Sequence, residues 1–255
     1  MILGVIPARY ASTRFPGKPL IDIAGQSMVQ RVYARAAASK LLDQVIVATD
    51  DERIFSHVEG FGGRAVMTAP DHISGTDRCY EALIKSGCNA EFVINIQGDE
   101  PFLETEQIDE LARSLEENPA TELATQMIAV KNEIELFDPG EVKIVLNNRS
   151  EALCFSRSPI PFLKGIPKEE WHRHHNYYRH VGLYAYRADI LRQITALPES
   201  PLEKAESLEQ LRWLENGFRI RCILTAYESH CVDTPEDLQR VMRLMGAERD
   251  KHSGS

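Results

Sequence analysis

Residues 2–19 read ILGVIPARYASTRFPGKP, and this stretch decides how the rest of the chain is interpreted. Residues 2–6 form an apolar run without a polar interruption, which is typical of a strand buried on both faces of a parallel sheet. The following residues, up to Pro19, are rich in Gly, Pro and Ser and include Arg9, Arg14 and Lys18. Because the whole chain has a formal net charge of -9, this local positive charge predicts an anion-binding turn after the first strand.

Strands and helices alternate through the first half of the chain. The predicted strands are Leu3–Ile6, Gln44–Ala48, Arg64–Met67 and Phe92–Ile96, each followed by a helical segment. Ser27 and Gln30 have the spacing of a capping box that opens the first helix. This alternation predicts an open, mostly parallel, Rossmann-like α/β sheet with right-handed crossovers. In such sheets, ligands bind beyond the carboxyl ends of the strands.

The second half changes character and predicts an antiparallel region. The runs 142–146 and 152–157 are joined by Asn147-Asn148, which indicates two strands connected by a tight turn. Residues 162–178 have no clear period and are interpreted as a long, partly mobile loop. Residues 202–216 predict one helix that ends at Gly217. We expect a single domain over residues 1–246 and a disordered tail over 247–255.

Composition narrows the class of protein. The chain has 255 residues with 43% hydrophobic and 26% charged content, which is typical of a globular α/β protein. It contains no apolar run of about 20 residues, so no membrane partner is expected. Five cysteines without CxxC spacing argue against a disulfide framework and favour a cytoplasmic location. The negative net charge makes nucleic-acid binding improbable, because such binding depends on neutralising phosphates.

The basic loop lacks the two common phosphate-binding fingerprints. The sequence has no GxGxxG and no GxxxxGK[ST], although Gly17-Lys18 occurs. An arginine grips phosphate as a planar fork and a lysine acts as a point charge. The loop therefore predicts a triphosphate site built from side-chain cations as well as backbone amides.

Two aspartates follow apolar strand ends and are candidate metal ligands. Asp99 comes after the fourth strand and Asp233 follows Val232. A carboxylate at a buried strand end is costly unless it is paired or bound to a cation, and Mg²⁺ held by one or two carboxylates is a natural partner. The alternative is that each is an ordinary turn or capping residue. A histidine-rich segment, His172 to His180, matches no metal-ligand spacing and is interpreted as mainly exposed imidazoles.

Taken together, these segments resemble the 3-deoxy-manno-octulosonate cytidylyltransferase family, whose members make CMP-KDO for lipopolysaccharide. The matching blocks appear in order from Ile6 to Leu238 and are IPARYASTRFPGKPL, IVATDD, DHISGTDR, VINIQGDEP, ALCFSRSPIP, YRHVGLYAYR, PLEKAESLEQLRWLENG and VDTPEDL. The resemblance implies a fold of the nucleotide-diphospho-sugar transferase type, whose antiparallel region binds sugar and forms a homodimer. It also implies that the partners are CTP, the acidic sugar KDO and a second copy of the chain.

The resemblance further implies individual roles. The implied catalytic residues are Arg9, Arg14, Lys18 and Asp99. The implied CTP-binding residues are Pro7, Ala8, Arg9, Ser12, Arg14, Lys18, Ser74, Gly75, Thr76, Arg78, Gln97 and Asp99. The implied sugar-binding residues are Gln97, Arg157, His180, Tyr184, Glu209 and Gln210, with Arg157 facing the sugar carboxylate. The implied Mg²⁺ ligands are Asp99 and Asp233.

The implied reaction is in-line attack of the sugar 2-hydroxyl on the α-phosphorus of CTP, with release of pyrophosphate. Positioning and charge neutralisation dominate such a transfer. Mg²⁺ would polarise the α-phosphate and acidify the attacking hydroxyl, so no separate side-chain base is expected. Arg14 and Lys18 would take up charge on the leaving pyrophosphate.

Three alternatives remain open from the sequence. The first is CMP transfer to another acidic sugar, sialic acid or 8-amino-KDO, which would be distinguished by residues around Arg157, His180 and Glu209. The second is a non-catalytic nucleotide-binding protein, which would have no need of both Asp99 and Asp233. The third is a structural α/β protein with a sulfate-binding turn, which explains none of the ordered blocks.

Overall fold

The computed structural model describes residues 1–11, 15–228, 231–240 and 242–243. The predicted site residues Ser12 and Arg14 and the tail 247–255 lie outside the described residues. The chain divides into two compact units. Among the described residues, the first unit comprises those within 1–90 and 95–108 and those from 231 to 243, and the second comprises residues 91–94 and 109–228. The prediction of a single domain stays a prediction.

The strands and helices follow in chain order. They are β1 (Ile2–Ala8), β2 (Asp22–Ile23), β3 (Gln26–Ser27), α1 (Met28–Ala37), β4 (Gln44–Thr49), α2 (Glu52–Gly60), β5 (Ala65–Met67), α3 (Gly75–Ser86), β6 (Phe92–Asn95), α4 (Thr105–Glu117), β7 (Leu123–Ala129), α5 (Glu133–Phe137), β8 (Lys143–Leu146), β9 (Ala152–Ser156), α6 (Trp171–His174), β10 (Tyr178–Arg187), α7 (Ala188–Thr195), α8 (Pro201–Glu206), α9 (Gln210–Glu215) and β11 (Ile220–Leu224). Residues 235–240 are also helical. Within the described ranges, no helix combines the length and apolar character needed to cross a membrane.

The first unit contains the parallel part of the fold that the sequence predicts. β1 pairs in parallel with β4, with Val5 opposite Ile46, and β4 pairs in parallel with β5. The apolar residues of β1 and β4 are buried on both faces, since α1 and α3 pack against both strands. Ser27 caps α1, because its hydroxyl accepts the backbone N–H of Gln30 at 3.2 Å.

The second unit is mainly antiparallel, which confirms the predicted change of character. β10 pairs antiparallel with β7, and β11 pairs in parallel with β7 on its other side. β8 and β9 form the predicted hairpin, and β8 also pairs with the start of β10. The predicted fold class, a mostly parallel mixed sheet with an antiparallel region, is confirmed. β7, the strand that pairs with both β10 and β11, was not predicted from the sequence.

Two local predictions in this unit are wrong. The predicted helix over residues 202–216 is two helices, α8 and α9, because Ser207 adopts a left-handed conformation with φ of 52° and ends the first. The predicted irregular loop over 162–178 contains a 3₁₀ turn and the short helix α6. Trp171 of α6 packs with Tyr177 and Leu136 in a buried cluster. Apolar contacts therefore hold the segment in place, although most of its residues are polar.

Candidate active site

A cavity of about 440 Å³ opens at the carboxyl end of β1 in the first unit, where parallel strands present their loops. Its lining combines the basic loop, the start of α3, the segment after β6 and the segment before residues 235–240. The lining residues are Pro7, Ala8, Arg9, Ala11, Lys18, Pro19, Gly75, Arg78, Gln97, Gly98, Asp99 and Asp233.

The basic loop is closed by its own backbone. Gly17 donates its backbone N–H to the carbonyl oxygen of Tyr10 at 2.9 Å, and its φ of 72° lies in the left-handed region that glycine adopts without strain. The Arg53 guanidinium carbon lies 3.3 Å from the centre of the Tyr10 ring, which is a cation–π contact. Lys18 then begins a 3₁₀ turn that places its side chain in the cavity.

The segment after β6 runs alongside β1 at very short range. Ile96 donates its N–H to the carbonyl oxygen of Val5 at 2.8 Å, which joins this segment to β1. A Cβ on Gly98 would lie 2.6 Å from the carbonyl oxygen of Pro7, closer than any side-chain carbon can come. Only glycine therefore permits this approach, and it brings Asp99 to the mouth of the cavity.

Lys18 joins the two aspartates that the sequence predicts as metal ligands. Its Nζ donates to Asp99 Oδ2 at 2.9 Å and to Asp233 Oδ1 at 3.0 Å. The Val232 N–H donates to the carbonyl oxygen of Asp99, which fixes the two aspartate segments side by side. Burial of Lys18, whose side chain is 12% exposed, opposes its charge, but the two carboxylates outweigh burial and raise the pKa of the ammonium.

This arrangement fits a divalent cation. Asp99 and Asp233 each turn an oxygen toward one position, which the Lys18 ammonium shows to be favourable for positive charge. Cys231 lies with them, and one ligand atom from each of the three lies within 4.8 Å of the others. Two carboxylate oxygens suit Mg²⁺, whereas a thiol is a soft ligand that Mg²⁺ does not prefer.

Arg78 forms a buried wall of the cavity. It is 1% exposed, it donates from Nη1 to Thr68 Oγ1, and its Nη2 lies 3.5 Å from Asp50 Oδ2. Burial lowers the pKa of Arg78 and the nearby charge of Arg9 lowers it further, while Asp50 opposes the shift. The pair of guanidiniums gives this side of the cavity positive potential suited to an anionic ligand.

The cavity contains most of the residues that the family resemblance assigns to CTP. Those that line it are Pro7, Ala8, Arg9, Lys18, Gly75, Arg78, Gln97 and Asp99. Ser74 is absent from the lining, because its side chain caps α3 by accepting the N–H of Asp77. Thr76 is buried within α3. Sequence reasoning missed Asp50, Thr68 and Cys231, and only Asp50 had a usable signal, since it follows an apolar strand as Asp99 does.

The residues predicted to bind sugar all lie in the second unit, apart from Gln97. His180 and Tyr184 are on β10 with ring centres 5.1 Å apart, and Tyr184 packs edge-on against Trp213 at 5.2 Å. Burial lowers the pKa of His180 to about 3, so its imidazole is neutral at pH 7. Burial also raises the pKa of Tyr184, and the charges of Tyr186, Cys222 and Glu209 add to that rise.

Arg157 has a more structural setting than the sequence suggests. Its guanidinium donates to the carbonyl oxygens of Glu206 at 2.8 Å, Pro139 at 3.0 Å and Ser207 at 3.4 Å. These bonds hold the junction between α8 and α9, where Glu209 and the buried Gln210 begin α9. Its role as partner of the sugar carboxylate stays a prediction.

Comparison with known proteins then decides the family. A family model described as cytidylyltransferase matches residues 3–220. The chain belongs to the cytidylyltransferase family. A relative from Parabacteroides distasonis named 3-deoxy-manno-octulosonate cytidylyltransferase is 50% identical over 95% of this chain and 97% of its own. Another of that name, from Bacteroides thetaiotaomicron, is 52% identical over 95% of this chain and 97% of its own.

One solved structure agrees with this family assignment, and a second shares the fold. A structure of CMP:2-keto-3-deoxy-manno-octonic acid synthetase complexed with CTP matches with a TM-score of 0.90 and 45% identity, covering 97% of this chain and 99% of that one. A cytidylyltransferase from Leptospira borgpetersenii, 15% identical with a TM-score of 0.61, covers 94% of this chain and 84% of its own and shows the shared fold. The resemblance stated from the sequence blocks is confirmed.

Proposed function

We propose that this chain transfers CMP from CTP to 3-deoxy-manno-octulosonate, giving CMP-KDO and pyrophosphate. The observation that carries the proposal is the cavity at the end of β1, where Lys18, Asp99 and Asp233 meet. The chain is also about half identical to relatives named 3-deoxy-manno-octulosonate cytidylyltransferase. The non-catalytic alternative loses support, since a protein that only binds nucleotide has no need to hold two carboxylates on one lysine.

The transfer breaks a phosphoanhydride bond of CTP and forms a phosphoester bond to the sugar. The oxygen of the sugar 2-hydroxyl bonds to the α-phosphorus, its proton passes to water, and the bond from the α-phosphorus to the α–β bridging oxygen breaks. That oxygen leaves as part of pyrophosphate. Arg9 and Lys18 supply positive charge where the phosphates lie, and Arg78 closes the cavity wall behind them. These cations act mainly by positioning the triphosphate and neutralising charge that moves onto pyrophosphate.

Asp99 and Asp233 are proposed to hold Mg²⁺ together with phosphate oxygens of CTP. When bound, the ion supplies electrostatic stabilisation of the transferring phosphoryl group and makes the attacking hydroxyl more acidic. For that position to be filled, Lys18 must leave the two carboxylates. The same lysine is then available for the anionic phosphates, which reconciles its observed ion pairs with its predicted role.

The Asp99 variant separates these roles. Asp99→Asn is expected to lower kcat by about 10²-fold or more, the scale of losing one electrostatic stabiliser. Mn²⁺ binding, followed by electron paramagnetic resonance, should weaken in parallel. Turnover near the wild-type value together with unchanged Mn²⁺ binding would remove Asp99 from the proposal. Asp109→Asn, on α4, is a control for carboxylate removal outside the cavity lining.

A single assay tests the identity of the sugar substrate. Pyrophosphate release is measured with CTP, Mg²⁺ and a panel of acidic sugars that includes the octulosonate, its 8-amino analogue and sialic acid. Release with the octulosonate at the highest kcat/KM is the expected result. Release with sialic acid alone would replace the proposed substrate, and release with none of them would refute CMP transfer to this class of sugar.

Homodimer formation and a cytoplasmic location are also proposed. Exposed apolar side chains on the second unit, Ile134, Leu153 and Phe162, are consistent with a surface that another copy covers. Sedimentation equilibrium at micromolar concentration should give about twice the monomer mass, and a monomer would contradict the dimer. The five cysteines are free thiols, which is consistent with a reducing compartment.

A further inference from the structure

The second unit contains a buried hydroxyl that touches a predicted sugar-binding residue. Thr125 of β7 is 0% exposed, and its Oγ1 lies 2.9 Å from Nε2 of His180 on the neighbouring strand β10. The backbone carbonyl oxygens of Val181, at 3.1 Å, and Leu183, at 2.9 Å, also lie within hydrogen-bond distance of this Oγ1. One hydroxyl therefore serves three groups of β10.

These groups meet because the two strands are out of step. The pairing between β7 and β10 shifts register between Val181 and Tyr184, which is a β-bulge. A bulge turns carbonyl oxygens away from the regular ladder and leaves them in need of a donor. The short side chain of Thr125 reaches into this irregularity and supplies the donor, because Thr125 lies opposite Tyr184 in the register.

Because the Thr125 hydroxyl has a single hydrogen, its hydrogen bonds determine which nitrogen of the His180 imidazole is protonated. A threonine hydroxyl has one hydrogen to donate and lone pairs with which to accept, whereas a carbonyl oxygen can only accept. If that hydrogen goes to Val181 or Leu183, Oγ1 must accept from His180, so Nε2 carries the N–H. If Thr125 instead donated to Nε2, both bulge carbonyls would lose its hydrogen, and one fewer hydrogen bond would form in a buried place.

The imidazole is also fixed in orientation. Phe155 packs edge-on against the His180 ring at a centre-to-centre distance of 5.3 Å, and the Tyr184 ring packs against it at a tilt of 51° with centres 5.1 Å apart. Burial lowers the pKa of His180, so the ring is neutral at pH 7. With Nε2–H directed at Thr125, Nδ1 is the only remaining polar atom of the ring, and it has a lone pair to offer.

We propose that Thr125 is a positioning residue that holds His180 as the Nε2–H tautomer, so that Nδ1 accepts a hydrogen bond from a hydroxyl of the acidic sugar. The proposal rests on the proposed function, in which His180 contacts the sugar. It adds a residue of β7 that touches no substrate and determines which kind of sugar group His180 can recognise: a donor, not an acceptor.

The test uses the full chain with Thr125→Val, which keeps the shape of the side chain and removes the hydroxyl. Nitrogen-15 NMR of the imidazole should show the Nε2–H tautomer in the wild type and a loss of that preference in the variant. KM for the octulosonate should rise about 5- to 10-fold, the worth of one neutral hydrogen bond, while KM for CTP stays within twofold. Thr125→Ser should restore both readouts.

A matched control is Thr195→Val, since the Thr195 hydroxyl donates only to backbone carbonyls of its own helix α7. It should leave the His180 spectrum and the sugar KM unchanged. An Nδ1–H tautomer in the wild type would overturn the proposal without any variant, so it remains testable if Thr125→Val fails to fold. A changed tautomer with an unchanged sugar KM would also overturn it. Failure of the proposed function shows separately, as absent pyrophosphate release by the wild type.

Discussion

Replacement of Lys18 by methionine tests the electrostatics of the cavity most directly. The change keeps the length of the side chain and removes its charge, leaving the carboxylates of Asp99 and Asp233 facing each other. Their ligand oxygens lie within 4.8 Å. With an effective dielectric constant of about 20, repulsion at that distance is about 3 kcal/mol, and solvent at side chains 26% and 33% exposed reduces it to about 2 kcal/mol.

The free energy of unfolding of the first unit should therefore fall by about 2 kcal/mol in Lys18→Met. Both tryptophans, Trp171 and Trp213, lie in the second unit, so their fluorescence is a poor probe. Hydrogen exchange at the Val232 amide, which donates to the Asp99 carbonyl, reports on the first unit itself. Lys40→Met, at an exposed lysine of the same unit, is the control for a lost positive charge.

Magnesium should restore more stability to the variant than to the wild type. In the wild type the ion competes with the Lys18 ammonium for the two carboxylates. In Lys18→Met no side-chain ammonium competes, so the carboxylates of Asp99 and Asp233 attract the ion directly. An ion at 100 times its dissociation constant stabilises the folded state by about 2.7 kcal/mol. Equal stability of wild type and variant without metal, or equal gains with Mg²⁺, would refute the idea that lysine and metal share this position.

Two further changes test the architecture around the cavity. Gly98→Ala should destabilise the first unit by about 1–3 kcal/mol and weaken CTP binding in calorimetry, because the new Cβ meets the Pro7 carbonyl. Gly60→Ala is the control, since nothing lies within 4 Å of a Cβ there, and it should change stability by less than about 1 kcal/mol. For Glu81, burial opposes the charge, but hydrogen bonds from a neighbouring lysine, a backbone amide and a histidine lower its pKa from 4.5 to about 2. Glu81→Gln should thus cost about 1–3 kcal/mol at pH 7, and urea unfolding should show this loss fading as the pH falls from 4.5 toward 2; a loss that is independent of pH would contradict the charge-based explanation.

The sequence predicted the parallel half of the fold and most of the residues that line the cavity at the end of β1. This half was predictable because its signals are local. An apolar run, a capping residue such as Ser27 or a turn residue such as Gly17 determines the conformation of residues only a few positions away. The ordered motif blocks also placed Lys18, Asp99 and Asp233 in one site. A short motif carries that information because its residues reach the cavity from the ends of buried strands.

The predictions failed where contacts between distant segments decide the conformation. β7 has no alternation to distinguish it, since it lies between β10 and β11 and is buried on both faces. The break at Ser207 lies inside a sequence with good helix propensity, and tertiary packing of α8 and α9 overrides that propensity. The segment around Trp171 looks polar in sequence, yet its Trp171 and Tyr177 are buried in one apolar cluster with Val130 and Leu136.

The sequence by itself thus determined the fold class, the basic loop and the family motifs, because each depends on residue type and short spacing. Tertiary structure alone decided that the Lys18 ammonium bridges Asp99 and Asp233, since those residues are 81 and 215 positions away from it along the chain. It also decided that Thr125, invisible as a motif, faces His180 across a bulge. Such pairings follow from strand order and register, which emerge only when the whole sheet has formed.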